Sequence, residues 1–198
     1  VAVYFIQIQH LDDLNKSLAL PIFKDHLVFM GAFFFPFAML VVVGSANAVN
    51  LTDGLDGLAI MPVIIAGASL GIIAYIVGRA DYSSYLDVHY IKGSGEILIF
   101  SAALIGSGLG FLWYNAPPAA VFMGDTGSLS LGSALGCIAV SIKHELVLLI
   151  VGGLFVIETL SVIIQVLFFK ITGKRVFLMA PIHHHLSLIH ISEPTRRY

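Results

Sequence analysis

Charged side chains are scarce in this sequence. Asp, Glu, Lys and Arg make up 11% of the 198 residues, whereas 58% of the residues are hydrophobic. A soluble globular domain carries about 25% charged residues. Because so few charges leave too little polar surface to cover a water-soluble globule, the composition predicts a membrane protein.

The sequence also lacks the features of several other protein classes. Its net charge of −2 provides no basic field for binding nucleic acid. Its single cysteine, Cys137, has no second cysteine with which to form a disulfide. It begins VAVYFIQI, without an initiator Met or the basic region of a signal peptide. We expect these residues to be the end of a segment whose beginning is missing.

Long apolar runs, by contrast, are abundant. A helix needs roughly 20 mostly apolar residues to cross a bilayer. Five runs are candidate spans, the fourth of them short: residues 27–46, 57–78, 97–114, 128–142 and 146–169. We therefore predict an all-α, polytopic transmembrane helix bundle, with about five full spans and a partial N-terminal one at residues 1–8. Pro36 predicts a kink in the first full span.

Basic residues give this bundle an orientation. Lys170, Lys174 and Arg175 directly follow the last run, and basic residues favour the cytoplasmic side of a membrane. Counting back through alternating spans places residues 45–56 and 115–127 on the same side. We therefore expect the polar residues of these two loops to be cytoplasmic.

The segment HLDDLNK carries two adjacent carboxylates, Asp12 and Asp13. An acidic pair of this kind is a sequence pattern typical of a metal- or phosphate-binding site. One span separates this segment from the loop at residues 45–56, so span parity places the pair on the outer side of the membrane. We interpret Asp12 and Asp13 as solvated residues without a role in catalysis.

The first cytoplasmic polar stretch, NAVNLTDGLDGLAI, contains Asn50, Asp53 and Asp56. Gly54 and Gly57 allow the backbone to turn tightly and to approach a ligand. Two carboxylates three residues apart can converge on a cation or on a sugar hydroxyl. The alternative is a solvated turn between helices, because placing acidic residues at the membrane edge costs little free energy.

The second polar stretch, YNAPPAAVFMGDTGSL, places Asp125 directly after Gly124 and close to Ser128. A carboxylate beside the exposed N–H groups of a helix N-terminus suits a magnesium ion and phosphate oxygens. The alternative is a structural N-cap, in which Asp125 only caps the helix that begins near Ser128. Both interpretations can hold at once.

The third polar stretch, MAPIHHHL, contains three consecutive histidines, His183, His184 and His185. On a helix their side chains would point about 100° apart, so they cannot all face one ligand. Imidazoles on the face that carries the carboxylates suit a metal, a phosphate or a proton relay. A partial affinity tag is the alternative, which the flanking apolar sequence fits poorly.

Glu158 lies in the middle of the last apolar run. An acid within a membrane span is a functional candidate. We nevertheless interpret Glu158 as a hydrogen-bond partner of a neighbouring helix, because nothing else on that run connects it with the cytoplasmic residues.

Four segments of the chain resemble the bacterial phospho-N-acetylmuramoyl-pentapeptide transferase family: NAVNLTDGLDGLAIMP, GFLWYNAPPAAVFMGDTGSLSLG, FVIETLSVIIQV and GKRVFLMAPIHHH. The resemblance implies a ten-helix fold in the bacterial inner membrane with its active site on the cytoplasmic face. It implies a transferase that moves phospho-N-acetylmuramoyl-pentapeptide from its UDP conjugate to undecaprenyl phosphate and releases UMP, in the first membrane step of peptidoglycan synthesis. Mg²⁺ is the implied cofactor, and a homodimer is an open alternative to a monomer.

The resemblance also implies roles for individual residues. Asp125 would bind Mg²⁺, and Asp53, Asp125 and His183 would be catalytic, with Asn50, Asp53 and His183 near the diphosphate and sugar. A uridine pocket would be formed by Gly54, Leu55, Asp56, Asn115 and Phe122, with Phe122 stacking on the uracil base. The implied substrate-binding residues are Asn50, Gly54, Leu55, Asp56, Asn115, Phe122 and His184.

The chain departs from the family pattern at both ends. The adjacent catalytic Asp pair of the family would lie before Val1, and residues 186–198, LSLIHISEPTRRY, do not continue the pattern. We therefore expect one transmembrane transferase domain at residues 1–185, truncated and without activity of its own, followed by an artefactual tail at residues 186–198.

Two other functions stay open at this point. The first is a related transferase that uses UDP-N-acetylglucosamine as its sugar donor. The second is a cation transporter, which would place its ionisable groups near the middle of the membrane. Apart from Glu158, the ionisable groups of the three polar stretches gather at one surface, which disfavours transport.

Overall fold

A computed structural model describes residues 16–21 and 27–186 of the chain. The partial span at residues 1–8, the pair Asp12 and Asp13, and residues 187–198 of the expected tail lie outside the described residues.

The described residues form an α-helical bundle with one small β-hairpin. The strands are β1 (Ser17–Ala19) and β2 (Leu27–Phe29), and short 3₁₀ helices occur at Gly31–Phe33 and Ser94–Glu96. The α-helices are α1 (Phe34–Thr52), α2 (Ile60–Val77), α3 (Ala80–Leu86), α4 (Ile97–Asn115), α5 (Gly124–Ser141), α6 (Glu145–Val151) and α7 (Gly153–Thr172). A helical turn follows at residues 182–186. The prediction of an all-α bundle is confirmed.

Four helices among the described residues are long and apolar enough to cross a membrane. They occupy Gly31–Thr52, Ile60–Val77, Ser94–Asn115 and Gly153–Thr172. These correspond to α1, α2, α4 and α7, and they make the chain a multi-pass membrane protein. The short run predicted as a further span became α5, which has 18 residues but starts with the polar sequence GDTGS and is not one of the four.

The N-terminal part of the first apolar run is not helical. Residues Leu27–Phe29 pair with Ser17–Ala19 in an antiparallel hairpin, and the helix begins only at Phe34. Pro36 is therefore in the first turn of α1 instead of its interior. There the N–H group that proline lacks would have had no intrahelical acceptor, which removes the reason for the expected kink.

Helix α1 extends further toward its C-terminus than the sequence indicated. It continues to Thr52, so that Asn47 and Asn50, which we had assigned to a polar loop, lie on its last turns. Asp53 then follows as the residue that ends the helix. This extension places the Asn50 side chain on a rigid element.

The last apolar run is broken in two. We expected one helix over residues 146–169, but α6 ends at Val151 and α7 begins at Gly153. The break occurs at Gly152, where two consecutive glycines weaken the helix because each has much backbone freedom to lose. Helix α7 therefore begins as a separate helix at Gly153.

Small residues allow the helices to approach each other closely. A Cβ atom added at Gly132 of α5 would lie 2.7 Å from Cα of Ala46 in α1, and the Ser45 hydroxyl donates to the Gly132 carbonyl at 2.8 Å. Between α2 and α4, a Cβ atom at Gly108 would lie 2.9 Å from the Ile64 side chain. This is the close packing expected of glycines in membrane helices.

The contact between α1 and α5 positions the polar end of the bundle. The two helices pack along much of their length, so the C-terminus of α1 lies beside the N-terminus of α5. The buried residues Val49, Leu70 and Leu135 form part of one core that joins α1, α2 and α5. The loops that follow α1 and α4 therefore meet at the same end.

We predict that Gly132→Ala destabilises the protein, because the added methyl group meets the backbone of α1. Overpacking of this kind costs about 1–3 kcal/mol. The matched control is Gly106→Ala on α4, where nothing lies within 4 Å of the added Cβ atom. That change should be neutral or stabilise by about 0.5–1 kcal/mol, since alanine favours a helix more than glycine does. Thermal unfolding of the two variants in detergent tests this, and equal unfolding temperatures would contradict it.

Candidate functional site

Two carboxylates from different helices lie together at the polar end of the bundle. Asp53 ends α1, and Asp125 lies in the first turn of α5. The Asn50 side-chain amide donates to Oδ1 of Asp125 at 3.0 Å and to the Ser128 hydroxyl at 2.9 Å. Ser128 in turn donates to the Gly124 carbonyl at 3.1 Å. The last turn of α1 thus holds the first turn of α5.

The charges of these carboxylates are not compensated. Burial, and secondly the negative charge of Asp125, raise the pKa of Asp53 above its ordinary value. Within the described ranges, no Lys, Arg or His lies within ion-pair distance of Asp53 or Asp125. Two neighbouring carboxylates that repel each other are a natural place for a cation.

The donor set fits Mg²⁺. This ion is usually held by one or two protein carboxylates, with water molecules and substrate phosphates completing its coordination. Asp53 and Asp125 supply such a pair, and the amide of Asn50 orients Asp125. The residues that the structure describes contain no group of three or more His, Cys, Asp or Glu side chains that could hold a metal by themselves. A metal at this position would take its remaining ligands from outside this pair of carboxylates.

Asn115 and Asp56 join the two loops next to these carboxylates. The Asn115 side chain is buried, accepts from the Gly57 N–H at 3.0 Å and donates to the Val121 carbonyl at 2.9 Å. Oδ2 of Asp56 accepts from the Ala119 N–H at 3.0 Å. The oxygen and the nitrogen of the Asn115 amide therefore both form hydrogen bonds within the protein. This gives Asn115 a structural role that the sequence did not indicate.

The other residues of the implied uridine pocket are more accessible. The Phe122 side chain is 74% exposed and that of Leu55 is 43% exposed. An exposed aromatic ring beside a polar loop is available for stacking on a base. The implied pocket thus divides into a rigid buried part around Asn115 and an open apolar rim.

His183 lies in contact with the loop that follows Asp53. A Cβ atom added at Gly54 would collide with Nε2 of His183, so the imidazole packs directly against the Gly54 backbone. His183 is 5% exposed, and its Nε2 atom has no hydrogen-bond partner among the described residues. The structure therefore brings the C-terminal histidine segment to the site, 129 residues along the chain from Gly54.

Glu158 holds this histidine. Its Oε2 atom lies 3.0 Å from Nδ1 of His183 and accepts a longer bond, of 3.4 Å, from the His183 backbone N–H. We interpreted Glu158 as a hydrogen-bond partner of a neighbouring helix with no link to the cytoplasmic residues. It is a hydrogen-bond partner, but its partner is His183, which links it to the site. The segment after α7 folds back along that helix, and Gln165 fixes it by accepting from the N–H groups of Val176 at 3.1 Å and Phe177 at 2.9 Å.

The three histidines have different surroundings, as expected for consecutive helical positions. The ring of His184 lies 4.2 Å from that of His183, and partial burial and the neighbouring His183 lower the pKa of His184. Nδ1 of His185 accepts from the Leu178 N–H at 3.2 Å. Only His183 is buried at the site, and the binding role implied for His184 stays a prediction.

Sequence reasoning missed two residues of this arrangement. Ser128 was considered only as the start of a helix, although it is buried and bonded to Asn50. Glu158 was an isolated acid in an apolar run, and that isolation was a signal for a buried partner. The partner itself was not identifiable, because the fold-back of the chain depends on contacts between distant residues.

Comparisons with known proteins show which family the chain resembles. The family model of glycosyl transferase family 4 matches residues 1–143. The phospho-N-acetylmuramoyl-pentapeptide-transferase of Ruegeria pomeroyi is 69% identical over 195 residues, which are 98% of this chain and 54% of the relative. The proteins of the same name from Dinoroseobacter shibae and Maricaulis maris are 72% identical over 176 residues and 66% identical over 182 residues, respectively, covering 89% and 92% of this chain.

The chain spans about half the length of the curated relatives it matches: 54%, 49% and 50% of those from R. pomeroyi, D. shibae and M. maris. The R. pomeroyi match leaves out three residues of this chain and so extends into residues 186–198. The assignment of those residues to an artefactual tail stays a prediction.

We predict that Asp125→Asn lowers the pKa of Asp53. The change removes the repulsion from Asp125, while burial, the larger cause, continues to keep the pKa raised. The folded state therefore holds its Asp53 proton to a higher pH than the unfolded state does, and this contribution to stability is lost as the pH rises through the folded pKa. Asp125→Asn should reduce that loss.

Titration of isotope-labelled aspartate carboxyl groups measures this shift. The matched control is Asp87→Asn, which makes the same chemical change at an exposed residue in the loop after α3. An Asp53 pKa that is the same in both variants would contradict the proposed repulsion.

Proposed function

The chain belongs to glycosyl transferase family 4, and from this membership we propose that it carries the catalytic face of an enzyme that transfers phospho-N-acetylmuramoyl-pentapeptide from its UDP conjugate to undecaprenyl phosphate and releases UMP. The proposal rests on one observation. Asp53 lies near enough to Asp125 for the two charges to interact, and Asn50 binds Asp125 where the two packed helices meet. The names of its relatives support the choice of substrates.

The proposed reaction depends mainly on positioning and charge. Transfer of a phosphoryl group needs its charge neutralised and its reacting atoms aligned, more than it needs covalent chemistry from the protein. A bound Mg²⁺ would neutralise the diphosphate and stabilise the UMP that leaves. Asp125 and Asp53 would hold that ion, and the bond from Asn50 keeps the Asp125 carboxylate aimed at it.

The nucleotide would occupy the adjoining loops. Phe122 offers an exposed ring for stacking on uracil, and Leu55 extends this apolar rim. The bonds of Asn115 to both loops hold the rim at a fixed distance from the carboxylates. Gly54 leaves space beside the diphosphate, and we assign His183 and His184 to that same side.

The position of the site suits a lipid acceptor. Undecaprenyl phosphate is held in the bilayer, so its phosphate must be met at the membrane surface. Asp53 lies at the end of one candidate membrane span and Asp125 begins the next helix after another. We propose that this end faces the cytoplasm across the bacterial inner membrane, since Lys170, Lys174 and Arg175 cluster after the last span.

The two alternatives have less support. A transferase for UDP-N-acetylglucosamine would use similar carboxylates, but the relatives with 66–72% identity carry the muramoyl-pentapeptide name. A cation transporter would need ionisable groups along a path through the membrane. The carboxylates Asp53 and Asp125 lie together at helix ends, which favours a surface reaction.

We predict that a chimera of the R. pomeroyi relative, with this chain in place of its matching segment, releases UMP from UDP-N-acetylmuramoyl-pentapeptide in the presence of undecaprenyl phosphate and Mg²⁺. UDP-N-acetylglucosamine should give little release. Release from the acetylglucosamine donor alone would favour the first alternative, and cation flux through liposomes without UMP release would favour the second.

In the same chimera, Asp125→Asn and Asp53→Asn should each lower the rate at least about 100-fold, because a neutral amide cannot compensate the charge of the cation and diphosphate. Asp87→Asn is the matched control and should retain the parent rate. Near-normal turnover of Asp125→Asn at ordinary Mg²⁺ concentrations would rule out the proposed metal role.

A further inference from the structure

Glu158 is a carboxylate in an unusual place. It is 2% exposed and lies six residues into the apolar helix α7. A buried carboxylate is destabilising unless it is paired and hydrogen-bonded. Among the described residues, the hydrogen-bond partners of its side chain are the ring and the backbone N–H of His183. Within the part of the chain that the structure describes, both side-chain hydrogen bonds of Glu158 therefore go to one residue.

The contact with Glu158 determines how the imidazole is held. When Glu158 is ionised, its carboxylate can only accept hydrogen bonds, and Nδ1 of His183 then carries the hydrogen that lies between them. The backbone N–H of His183 bonds to the same oxygen, which fixes the ring and the main chain together. Nε2, on the opposite side of the ring, is then directed away from α7.

Nε2 is directed at the loop of Asp53. The position of a Cβ atom on Gly54 is already occupied by the imidazole, with Nε2 as the nearest atom. Gly54 itself is exposed on its other side and follows Asp53 directly. The imidazole therefore lies beneath the loop that ends α1, and a change in ring position would move that loop.

We propose that Glu158 is a positioning residue for the transfer reaction: it holds His183 against Gly54 and so fixes the loop that presents Asp53 to the diphosphate. This inference rests on the proposed function, because the diphosphate enters through it. Among the described residues, no hydrogen bond joins Glu158 to Asp53 or Asp125, and it acts through His183.

The test uses the R. pomeroyi chimera described above and measures kcat/KM for UMP release. Glu158→Ala removes the acceptor for Nδ1 and should lower kcat/KM about 10- to 100-fold, the usual effect of losing an outer contact that orients a functional imidazole. Glu158→Gln keeps an amide oxygen that can accept from Nδ1 and should restore most of that loss. Glu96→Ala and Glu96→Gln, at an exposed acid before α4, are the matched controls and should retain the parent value.

A double-mutant cycle separates positioning from general destabilisation. When His183 is already replaced by Ala, Glu158→Ala should change kcat/KM by less than about twofold, because the residue through which it acts is gone. If Glu158→Ala lowered kcat/KM by the same factor with and without His183, the proposal would be overturned. A Glu158→Ala variant with the parent kcat/KM would also overturn it. So would a Glu158→Gln variant as impaired as Glu158→Ala.

Gly54 provides an independent variant that leaves Glu158 in place. Gly54→Ala should lower kcat/KM because its methyl group displaces the imidazole, and most of this loss should disappear in the His183→Ala background. Gly44→Ala on α1, where nothing lies within 4 Å of the added Cβ atom, is its matched control. A Gly54→Ala loss of equal size with and without His183 would overturn the proposal.

Failure of the proposed function and failure of this inference would give different results. A parent chimera that does not release UMP would overturn the proposed function and this inference with it. A parent that is active, with Glu158→Ala also fully active, would overturn the inference alone and leave the proposed function in place.

Discussion

The close contact between α1 and α5 is the constraint on which the candidate site depends. Gly132 and Gly136 of α5 leave no space for side chains, so the backbones of the two helices meet directly at Ala46 and Gly132. Because α1 ends where α5 begins, this contact brings Asp53 near Asp125 and lets Asn50 reach across. The repulsion between two carboxylates is thus imposed by van der Waals packing elsewhere along the helices. A site with unfavourable electrostatics needs such support from its scaffold.

The C-terminal segment adds a second constraint. The break at Gly152 separates the short α6 from α7, and the chain after α7 returns along that helix through the bonds of Gln165. This return delivers His183 to Glu158 and to Gly54. The site is therefore built from three parts of the chain: the end of α1, the beginning of α5 and a segment that is anchored on α7.

The sequence was informative where the physics is local. Apolar runs of sufficient length predicted α2 and α4 closely, and polar stretches between runs identified Asp53, Asp125 and His183 as neighbours at one end. It failed where competing contacts decide. Residues Leu27–Phe29 are apolar enough for a span but pair as a strand, and Asn50 is polar enough for a loop but continues a helix. The Glu158–His183 bond depends on a fold-back that no short pattern encodes.

The contact between Gly54 and His183 also has a consequence for biosynthesis. A ribosome makes Asp53 and Asp125 well before residue 183, so a nascent chain that has inserted α1 through α5 already holds its carboxylate pair. The imidazole arrives only after α7 has been made and the following segment has turned back. Completion of the site is therefore among the last events in the synthesis of this region, and chains that stop before residue 183 carry the acidic half without its basic counterpart.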